Sequence, residues 1–219
     1  MNRPAGLPWF ARLLRMRDEP GDSVRLYTAR LLLRAPRMAD ARQMFAYASD
    51  PEVARYVLWE PHGAVWETRL ALHGIIARNR REFLHTFAIV TLEDSRMVGT
   101  IGLVWRDWDS KSAEVGFSIA RDCWGKGLMT EALVAYLRFA FTRLGLHRVE
   151  AQHDLRNPAS GRVMEKAGMR AEGTLRGRLR YKGDYADVAL YSALRDEWLP
   201  KHPEPADAGD ARSPEQVAG

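Results

Sequence analysis

The sequence predicts an α/β protein of the α+β kind, with helices on both faces of one mixed, mostly antiparallel, twisted sheet of about seven strands. Three observations lead to this fold class. Strand-like segments and segments with apolar residues at helical spacing follow one another in the order β-α-α-β-β-β-α-β-α-β-β. Apolar residues make up 46% and charged residues 28% of the chain, as in globular proteins. A chain of 219 residues is long enough for one well-buried core.

The first half of the chain contains the segments that lead to a central set of antiparallel strands. A helix with one apolar face stops at Asp50-Pro51, because proline interrupts the helical pattern. The polar turns Glu93-Asp94-Ser95 and 107–110 separate three strand-like segments. The predicted segments are a strand at 31–33, helices at about 40–49 and 65–80, and strands at 87–90, 97–104 and 113–119.

The second half alternates helices with the remaining strands. Apolar residues at helical spacing continue to Gly145, and the next helical segment ends at Gly168. Glycine commonly follows the last turn of a helix because it adopts the left-handed conformation without a steric penalty. The predicted segments are a helix at 130–144, a strand at 149–152, a helix at 157–167, and strands at 172–180 and 186–194.

The two ends of the chain differ in composition from the middle. The segment 18–22 is acidic with Pro and Gly, and from Pro200 the chain is rich in Pro, Ala, Asp and Gly. We therefore expect an N-terminal extension at 1–24, one domain at 25–199 and a disordered tail at 200–219. The extension is basic and partly apolar. It either packs on the domain or lies on a membrane surface or a partner as a short amphipathic helix.

Cysteine content and charge limit the compartment and the partners. Cys123 is the single cysteine, which fits a reducing compartment, and it has no readable base partner, so we expect it to be inert. No apolar run approaches membrane-spanning length, and a cytoplasmic protein is expected. The net charge of +5 is spread along the chain, so we expect no specific nucleic-acid binding. One basic run is expected to face solvent, with contact to RNA or to a cofactor phosphate as the alternatives: Arg170, Arg176, Arg178, Arg180 and Lys182.

The most informative motif is the turn Gly125-Lys126-Gly127, which joins a strand to an amphipathic helix. Glycines at such a turn leave N–H groups uncovered at the positive end of a helix, where a phosphate can bind. Gly127 follows Lys126 in place of Ser or Thr, which excludes a Walker loop. Three antiparallel strands before the turn exclude a dinucleotide fingerprint. A tight turn without a ligand is the alternative interpretation.

Further motifs surround this turn in a fixed order. They are 28–34 near the start, 113–119 before the turn, 157–160 and 165–169 after it, and 184–194 near the end. Together they resemble the GCN5-related N-acetyltransferases (the GNAT superfamily), and more narrowly the bacterial ribosomal-protein N-acetyltransferase group. The resemblance covers about residues 25–198 and implies the GNAT fold, with its sheet splayed at the acetyl-CoA site. One difference is Asp122, which stands where the superfamily often has Gln or Arg.

The resemblance implies how acetyl-CoA, as the acetyl donor, would bind. Backbone amides of the turn would hold its pyrophosphate, and the strand that ends at Ile119 would pair with the pantetheine arm. A backbone N–H near Phe117 or Ile119 would polarise the thioester carbonyl. No metal is expected. The implied cofactor-binding residues are Phe117, Ser118, Ile119, Trp124, Gly125, Lys126, Gly127, Leu128, Met129, Thr130 and Asn157.

The resemblance also implies two catalytic residues. Glu114 is the candidate general base, acting directly or through water, and a structural carboxylate paired with an arginine is the alternative. Ser160 is the candidate acid that protonates the departing thiolate, and a helix cap is its alternative role. The tyrosines that could replace it as the acid are Tyr181, Tyr185 and Tyr191.

The acceptor implied by the resemblance is a protein N-terminal α-amine, as in a ribosomal protein, or a small-molecule amine such as an aminoglycoside or a polyamine. A non-catalytic CoA-binding or ribosome-binding module and an RNA-binding protein are hypotheses from other classes. The intact Glu114, Asn157 and Ser160 argue against the non-catalytic module. A monomer or a homodimer is expected. Four tryptophans either line an amine groove or belong to the core: Trp59, Trp66, Trp105 and Trp108.

Overall fold

The structure, a computed structural model, describes residues 24–82 and 85–203. Within these ranges the chain forms eight strands, which are β1 Arg25–Tyr27, β2 Leu31–Arg34, β3 Phe87–Thr91, β4 Met97–Asp107, β5 Ser112–Ile119, β6 Arg148–Asp154, β7 Arg170–Tyr181 and β8 Asp184–Leu194. They form one sheet in the order β1-β2-β3-β4-β5-β6-β8-β7. All neighbours are antiparallel except β5 and β6, which run parallel. The predicted fold class, a mixed and mostly antiparallel sheet, is confirmed.

Helices flank this sheet. The α-helices of the described residues are α1 Ala41–Ala48, α2 Pro51–Ala54, α3 Val65–Glu82, α4 Leu128–Thr142, α5 Pro158–Lys166 and α6 Arg195–Trp198. Short 3-10 helices occur at Met38–Asp40, Arg121–Cys123 and Leu199–Lys201. Within the same residues, none of the helices combines the length and the apolar character needed to cross a membrane.

Each segment predicted from the periodicity is present, and among the strands and α-helices three short ones were not predicted. These are β1, α2 and α6, each of three or four residues. At Asp50-Pro51 the predicted stop is correct, but the same residues also begin α2. The Asp50 side chain accepts from the backbone N–H of Glu52, and Pro51 occupies the first helical position, where its missing N–H costs nothing.

Helices α1 and α4 cover opposite faces of the sheet. Tyr136 of α4 lies edge-on to Phe87 with ring centroids 5.9 Å apart, and Phe87 is opposite Ile101 of β4. Tyr47 of α1 approaches Thr100, the neighbour of Ile101, and neighbouring residues of a strand face opposite sides. The α1 face also carries Glu114, Gly116 and Ser118, since Ser118 is opposite Thr100 and alternate residues share a face.

The C-terminal part of the domain packs against α4. Trp198 is 2% exposed, its indole N–H donates to the carbonyl of Ala167 at 2.8 Å, and its ring stacks on His202 at 4.0 Å. Arg138 of α4 donates to the carbonyl oxygens of His202 and Pro203. The predicted extension, residues 1–24, lies outside the described residues except for Val24. The predicted tail begins at residue 200, and its residues 204–219 also lie outside them. The domain limits 25–199 stay a prediction.

Candidate active site

Strands β5 and β6 separate directly after the candidate base. They pair only at Ser112–Arg148, Ala113–Val149 and Glu114–Glu150. Beyond Glu114, β5 continues to Ile119 and β6 continues to Asp154 without pairing to each other. Strand β6 stays paired with β8 over its whole length, so β6 and β8 leave β5 together. The sheet is therefore splayed at the position that the resemblance implied.

The open edge of β5 presents backbone groups to this gap. In an antiparallel ladder the N–H and C=O groups of alternate residues point to the same neighbour. The N–H of Ala120 donates to Val98 of the strand β4 at 2.7 Å, so the backbone groups of Phe117 and Ile119 point to the opposite side, into the gap. The indole N–H of Trp124 donates to the Ile119 carbonyl at 3.0 Å, which leaves the N–H groups as the free donors.

The glycine turn lies at the end of this open edge. Gly125 and Gly127 have φ angles of 71° and 75°, in the left-handed region, so the backbone conformation favours glycine at both positions. Helix α4 begins at Leu128, two residues earlier than predicted, and its N-cap residue, Gly127, has no side chain with which to cap the helix. The N–H groups of its first turn have no acceptor within the helix, and the helix dipole adds positive potential there.

Several predicted binding residues offer the gap only their backbone. The side chains of Leu128 and Met129 are 8% and 5% exposed and belong to the core. The Ser118 hydroxyl lies 3.3 Å from the Thr100 hydroxyl, on the face covered by α1. The Tyr47 hydroxyl is buried beside them without a hydrogen bond of good geometry, and burial raises the pKa of Tyr47 to about 12.

Arg30, which was not among the predicted site residues, holds the glycine turn from outside. Its guanidinium donates to the Lys126 carbonyl at 3.0 Å and to the Glu131 carboxylate of α4, with an N–O separation of 2.6 Å. Glu131 also accepts from the backbone N–H of Arg30 and from the Thr28 hydroxyl. We call Thr28, Arg30 and Glu131 the turn bracket. No local pattern reveals it, because Arg30 and Glu131 are 101 residues apart in the sequence.

The turn bracket positions the turn more than it stabilises the fold. The Arg30 side chain is half exposed, and exposed ion pairs contribute only about 0–1 kcal/mol to stability. Burial by itself would raise the pKa of Glu131, but the hydrogen bonds from Thr28 and Arg30 together outweigh it and hold the pKa below its usual value. The Arg30 guanidinium also lies 3.6 Å from the point where a Cβ on Gly127 would be. The guanidinium therefore lies close to the turn, with its charge paired to the Glu131 carboxylate.

Glu114 is buried on the α1 face, at the point where the gap opens. One carboxylate oxygen accepts from the indole N–H of Trp105 at 2.8 Å, and the other accepts from the side-chain amide of Gln152 at 2.9 Å. Both partners are neutral, so among the described residues Glu114 is not paired with an arginine. A β-bulge at Val104 shifts the register so that Trp105 comes to lie opposite Glu114.

Asn157 and Ser160 lie on the other side of the gap, where β6 leads into α5. The side-chain amide of Asn157 donates to the Ser160 hydroxyl oxygen at 3.0 Å. The hydroxyl proton of Ser160 has no acceptor among the described residues, so it can be donated to a ligand. Helix α5 packs tightly on β6, because a Cβ on Gly161 would lie 2.7 Å from the His153 ring. This contact fixes the position of Ser160.

The hydroxyl protons of two of the three candidate tyrosines are already engaged by carboxylates. Tyr191 donates to Glu165 at 3.0 Å, and Tyr181 donates to Asp154. Burial and these carboxylates raise the pKa of each hydroxyl. Tyr185 is 65% exposed at the surface. The free proton of Ser160 therefore fits the role of an acid better than these tyrosines do.

Cys123 and Asp122 precede the turn; the first is buried and the second is held in an ion pair. Cys123 is 4% exposed, and burial raises the pKa of its thiol, which disfavours the nucleophilic thiolate. Asp122 pairs with Arg96 at 2.7 Å, and this hydrogen bond holds the pKa of the carboxyl below its usual value. Of the four tryptophans, Trp105 contacts the candidate base. The described residues contain no group of three or more His, Cys, Asp or Glu placed to hold a metal ion.

Comparison with known proteins gives one family. Residues 30–170 match the family described as the acetyltransferase (GNAT) domain. The chain is 33% identical to the uncharacterized N-acetyltransferase p20 of Bacillus licheniformis over 173 residues, which cover 79% of this chain and 97% of that protein. It is 27% identical to the ribosomal protein uS5-alanine N-acetyltransferase of Escherichia coli, with coverages of 81% and 94%.

A solved structure shows the same fold. The ribosomal L7/L12 alpha-N-protein acetyltransferase, in complex with coenzyme A, superposes with a TM-score of 0.71 at 21% identity. The superposition covers 79% of this chain and 99% of that one. The splayed sheet, the uncapped glycine turn and the match over residues 30–170 agree with one another. The chain belongs to the GNAT family of acetyltransferases.

Proposed function

We propose that this protein transfers the acetyl group of acetyl-CoA to a primary amine, and that its acceptor is the N-terminal α-amine of a protein. The observation that carries the proposal is the arrangement along β5. Glu114 stands where the gap opens, free backbone groups line the gap, and the glycine turn with its uncapped N–H groups follows at the far end. An acyl donor with an anionic end and an amide-containing arm matches this order of groups.

The donor is held mainly by backbone. The N–H groups from Gly127 to Thr130 face the pyrophosphate, and Arg30, paired with Glu131, holds the turn that carries them. Backbone groups of Phe117 and Ile119 pair with the pantetheine arm as an added strand would. Each such hydrogen bond contributes about 0.5–1.5 kcal/mol, so several together are needed for useful affinity. Asn157 adds a side-chain contact from the opposite wall.

Glu114 acts as the general base. An ammonium has no lone pair, so a proton must leave the amine before nitrogen attacks the thioester carbonyl. At pH 7 about a tenth of an α-amine of pKa near 8 is already neutral, against less than about one in a thousand of an amine of pKa near 10.4. A single carboxylate with neutral partners is therefore better matched to an α-amine than to a lysine or a polyamine.

Ser160 completes the reaction as the acid. The amine nitrogen forms a bond to the carbonyl carbon, the C–S bond breaks, and the electron pair of that bond leaves with sulfur. The free hydroxyl proton of Ser160 neutralises the thiolate, while the amide of Asn157 supports the hydroxyl oxygen. After the attack, nitrogen loses its second proton to solvent, which offsets the proton that serine takes up. The products are the acetylated amine, CoA with a free thiol, and the one proton that Glu114 removed from the ammonium. Serine regains its proton from solvent.

The acceptor class also has support from relatives, since one at 27% identity is a ribosomal protein uS5-alanine N-acetyltransferase. Release of thiol from acetyl-CoA is measured with a panel of a ribosomal-protein N-terminal peptide, a polyamine and an aminoglycoside. We expect turnover with the peptide, and acetylation at its α-amine by mass spectrometry. Coenzyme A binding without turnover on any amine would contradict the proposal. A cytoplasmic location and a monomeric or homodimeric state stay predictions.

The first prediction concerns the base. Glu114→Gln keeps the shape of the side chain but removes the basic site, so we expect kcat/KM for the peptide at pH 7 to fall about a hundredfold. The loss of kcat/KM relative to the wild-type protein should shrink from pH 7 to pH 9, because a larger fraction of the amine is then neutral without a general base. Glu93→Gln, in an exposed turn, is the matched control. Unchanged turnover in Glu114→Gln would exclude the residue as the base.

The second prediction concerns the acid. Ser160→Ala should lower kcat about 10- to 100-fold and leave the KM for acetyl-CoA nearly unchanged, because the proton is needed only as sulfur departs. Tyr191→Phe should retain full turnover, since its hydroxyl proton is held by Glu165. Steady-state kinetics with both variants decide between the two residues. Full activity of Ser160→Ala together with loss in Tyr191→Phe would reverse the assignment.

The third prediction concerns the turn bracket. Arg30→Gln and Glu131→Gln should each raise the KM for acetyl-CoA about tenfold with little change in kcat, because both release the same turn. The double variant should be little worse than either single variant, as expected for residues that act as one unit. Isothermal titration with coenzyme A checks the affinity directly. Fully additive losses would show that the two residues act separately.

A further inference from the structure

Strand β7 and the turn that follows it are unusually open to solvent. Every residue of β7 from Arg170 to Arg178 is exposed, although β7 pairs with β8 along most of its length. A Cβ added at Gly173, Gly177 or Gly183 would meet no atom within 4 Å. This segment is the outer edge of the sheet, so its second edge is also unpaired within the described residues.

The positive charge of β7 is concentrated in its second half. We call residues 174–183 the basic ribbon; it contains four cationic residues and no Asp or Glu: Arg176, Arg178, Arg180 and Lys182. In the first half, by contrast, Arg170 pairs with Glu197 at 3.0 Å, and Glu172 pairs with an arginine of β6. Arg176 and Arg178 have no acidic partner among the described residues.

The basic ribbon reaches the face of the sheet that carries Glu114. At its tip the Lys182 ammonium donates to the carbonyl of Ala54 in α2 at 2.6 Å and lies 3.7 Å from the Glu60 carboxylate. Helix α2 directly follows α1, which covers that same face. The tip therefore lies on the α1–α2 side of the molecule, which is the side of the sheet that carries Glu114.

One explanation for the arginines is that they protect an exposed edge. Two copies paired along β7 would place like charges opposite each other, which prevents self-association. Edge protection does not explain why the unpaired arginines occur only in the second half of β7. It also does not explain the apolar surface beside it, because Tyr185 is 65% exposed under the Arg180 guanidinium and Leu175 is 38% exposed. Arginine and tyrosine together are typical of protein-binding surfaces.

We propose that the basic ribbon binds an acidic segment of the protein whose N-terminal amine is acetylated. This inference rests on the proposed function, because it assigns the ribbon to the acceptor and not to the donor. An acidic chain lying along the ribbon is held by Arg176 and Arg178 while its amine enters the gap at Glu114. Charge complementarity selects the partner and speeds its association, while the apolar side chains add contact area. Acidic acceptor proteins are thus the preferred substrates.

The test uses two peptides that share a free N-terminal alanine and differ only in whether the following segment carries glutamates or glutamines. Arg176→Gln/Arg178→Gln should raise the KM for the acidic peptide about tenfold and leave kcat and the KM for acetyl-CoA unchanged. Its effect on the glutamine peptide should be small. Arg25→Gln/Arg143→Gln is the matched control, because it removes the same charge from exposed positions on β1 and at the end of α4.

Binding of the fluorescent acidic peptide, measured by anisotropy, separates this inference from the proposed chemistry. We expect binding to the wild-type protein that weakens with salt and is lost in Arg176→Gln/Arg178→Gln, even if no acetyl group is transferred. Equal binding of both peptides by the wild-type protein would overturn the inference. RNA binding and oligomeric state of Arg176→Gln/Arg178→Gln are measured alongside. The inference would also be overturned if this variant lost RNA binding or began to self-associate while its kinetics with both peptides stayed unchanged.

Discussion

The loss of pairing between β5 and β6 after Glu114 is the constraint on which the rest of the site depends. Each strand is held firmly on its other side, β5 by β4 and β6 by β8. The gap therefore has two ordered walls and does not close by simple pairing. It leaves backbone donors on β5 without a partner in the described residues, and such groups are satisfied by water or by a ligand with amides of its own. Both candidate catalytic residues stand beside this gap.

The two walls have different roles. The β5 wall carries the base and leads into the glycine turn, while the β6 wall leads into α5 with Asn157 and Ser160. Tight contact between Gly161 and His153 fixes the second wall, as the turn bracket fixes the first. The turn bracket contributes little to global stability, since the Arg30 side chain of its ion pair is half exposed. Their effect is to keep the reacting groups in position.

Periodicity and turn residues predict the order of elements well, because helices and strands here follow their intrinsic patterns. They fail for β1, α2 and α6, which are too short to show a period. The glycine turn was predictable from local sequence, whereas the turn bracket was not, since its partners are distant in the chain. The contact of Trp105 with Glu114 also depends on a bulge at Val104, which no residue pattern predicts. The separation of β5 and β6 was expected only from the resemblance to the family. In the structure it follows from the pairing of β6 with β8 along its whole length.

Backbone amide exchange at Phe117 and Ile119 tests the central claim most directly, because these N–H groups point into the gap and are assigned to the donor. In the free protein both amides should exchange faster than that of Ala120, whose N–H is bonded to β4 at 2.7 Å. Addition of coenzyme A should slow exchange at Phe117 and Ile119 and leave Ala120 unchanged. Strong protection of both amides before coenzyme A is added, or no change after it binds, would contradict the account.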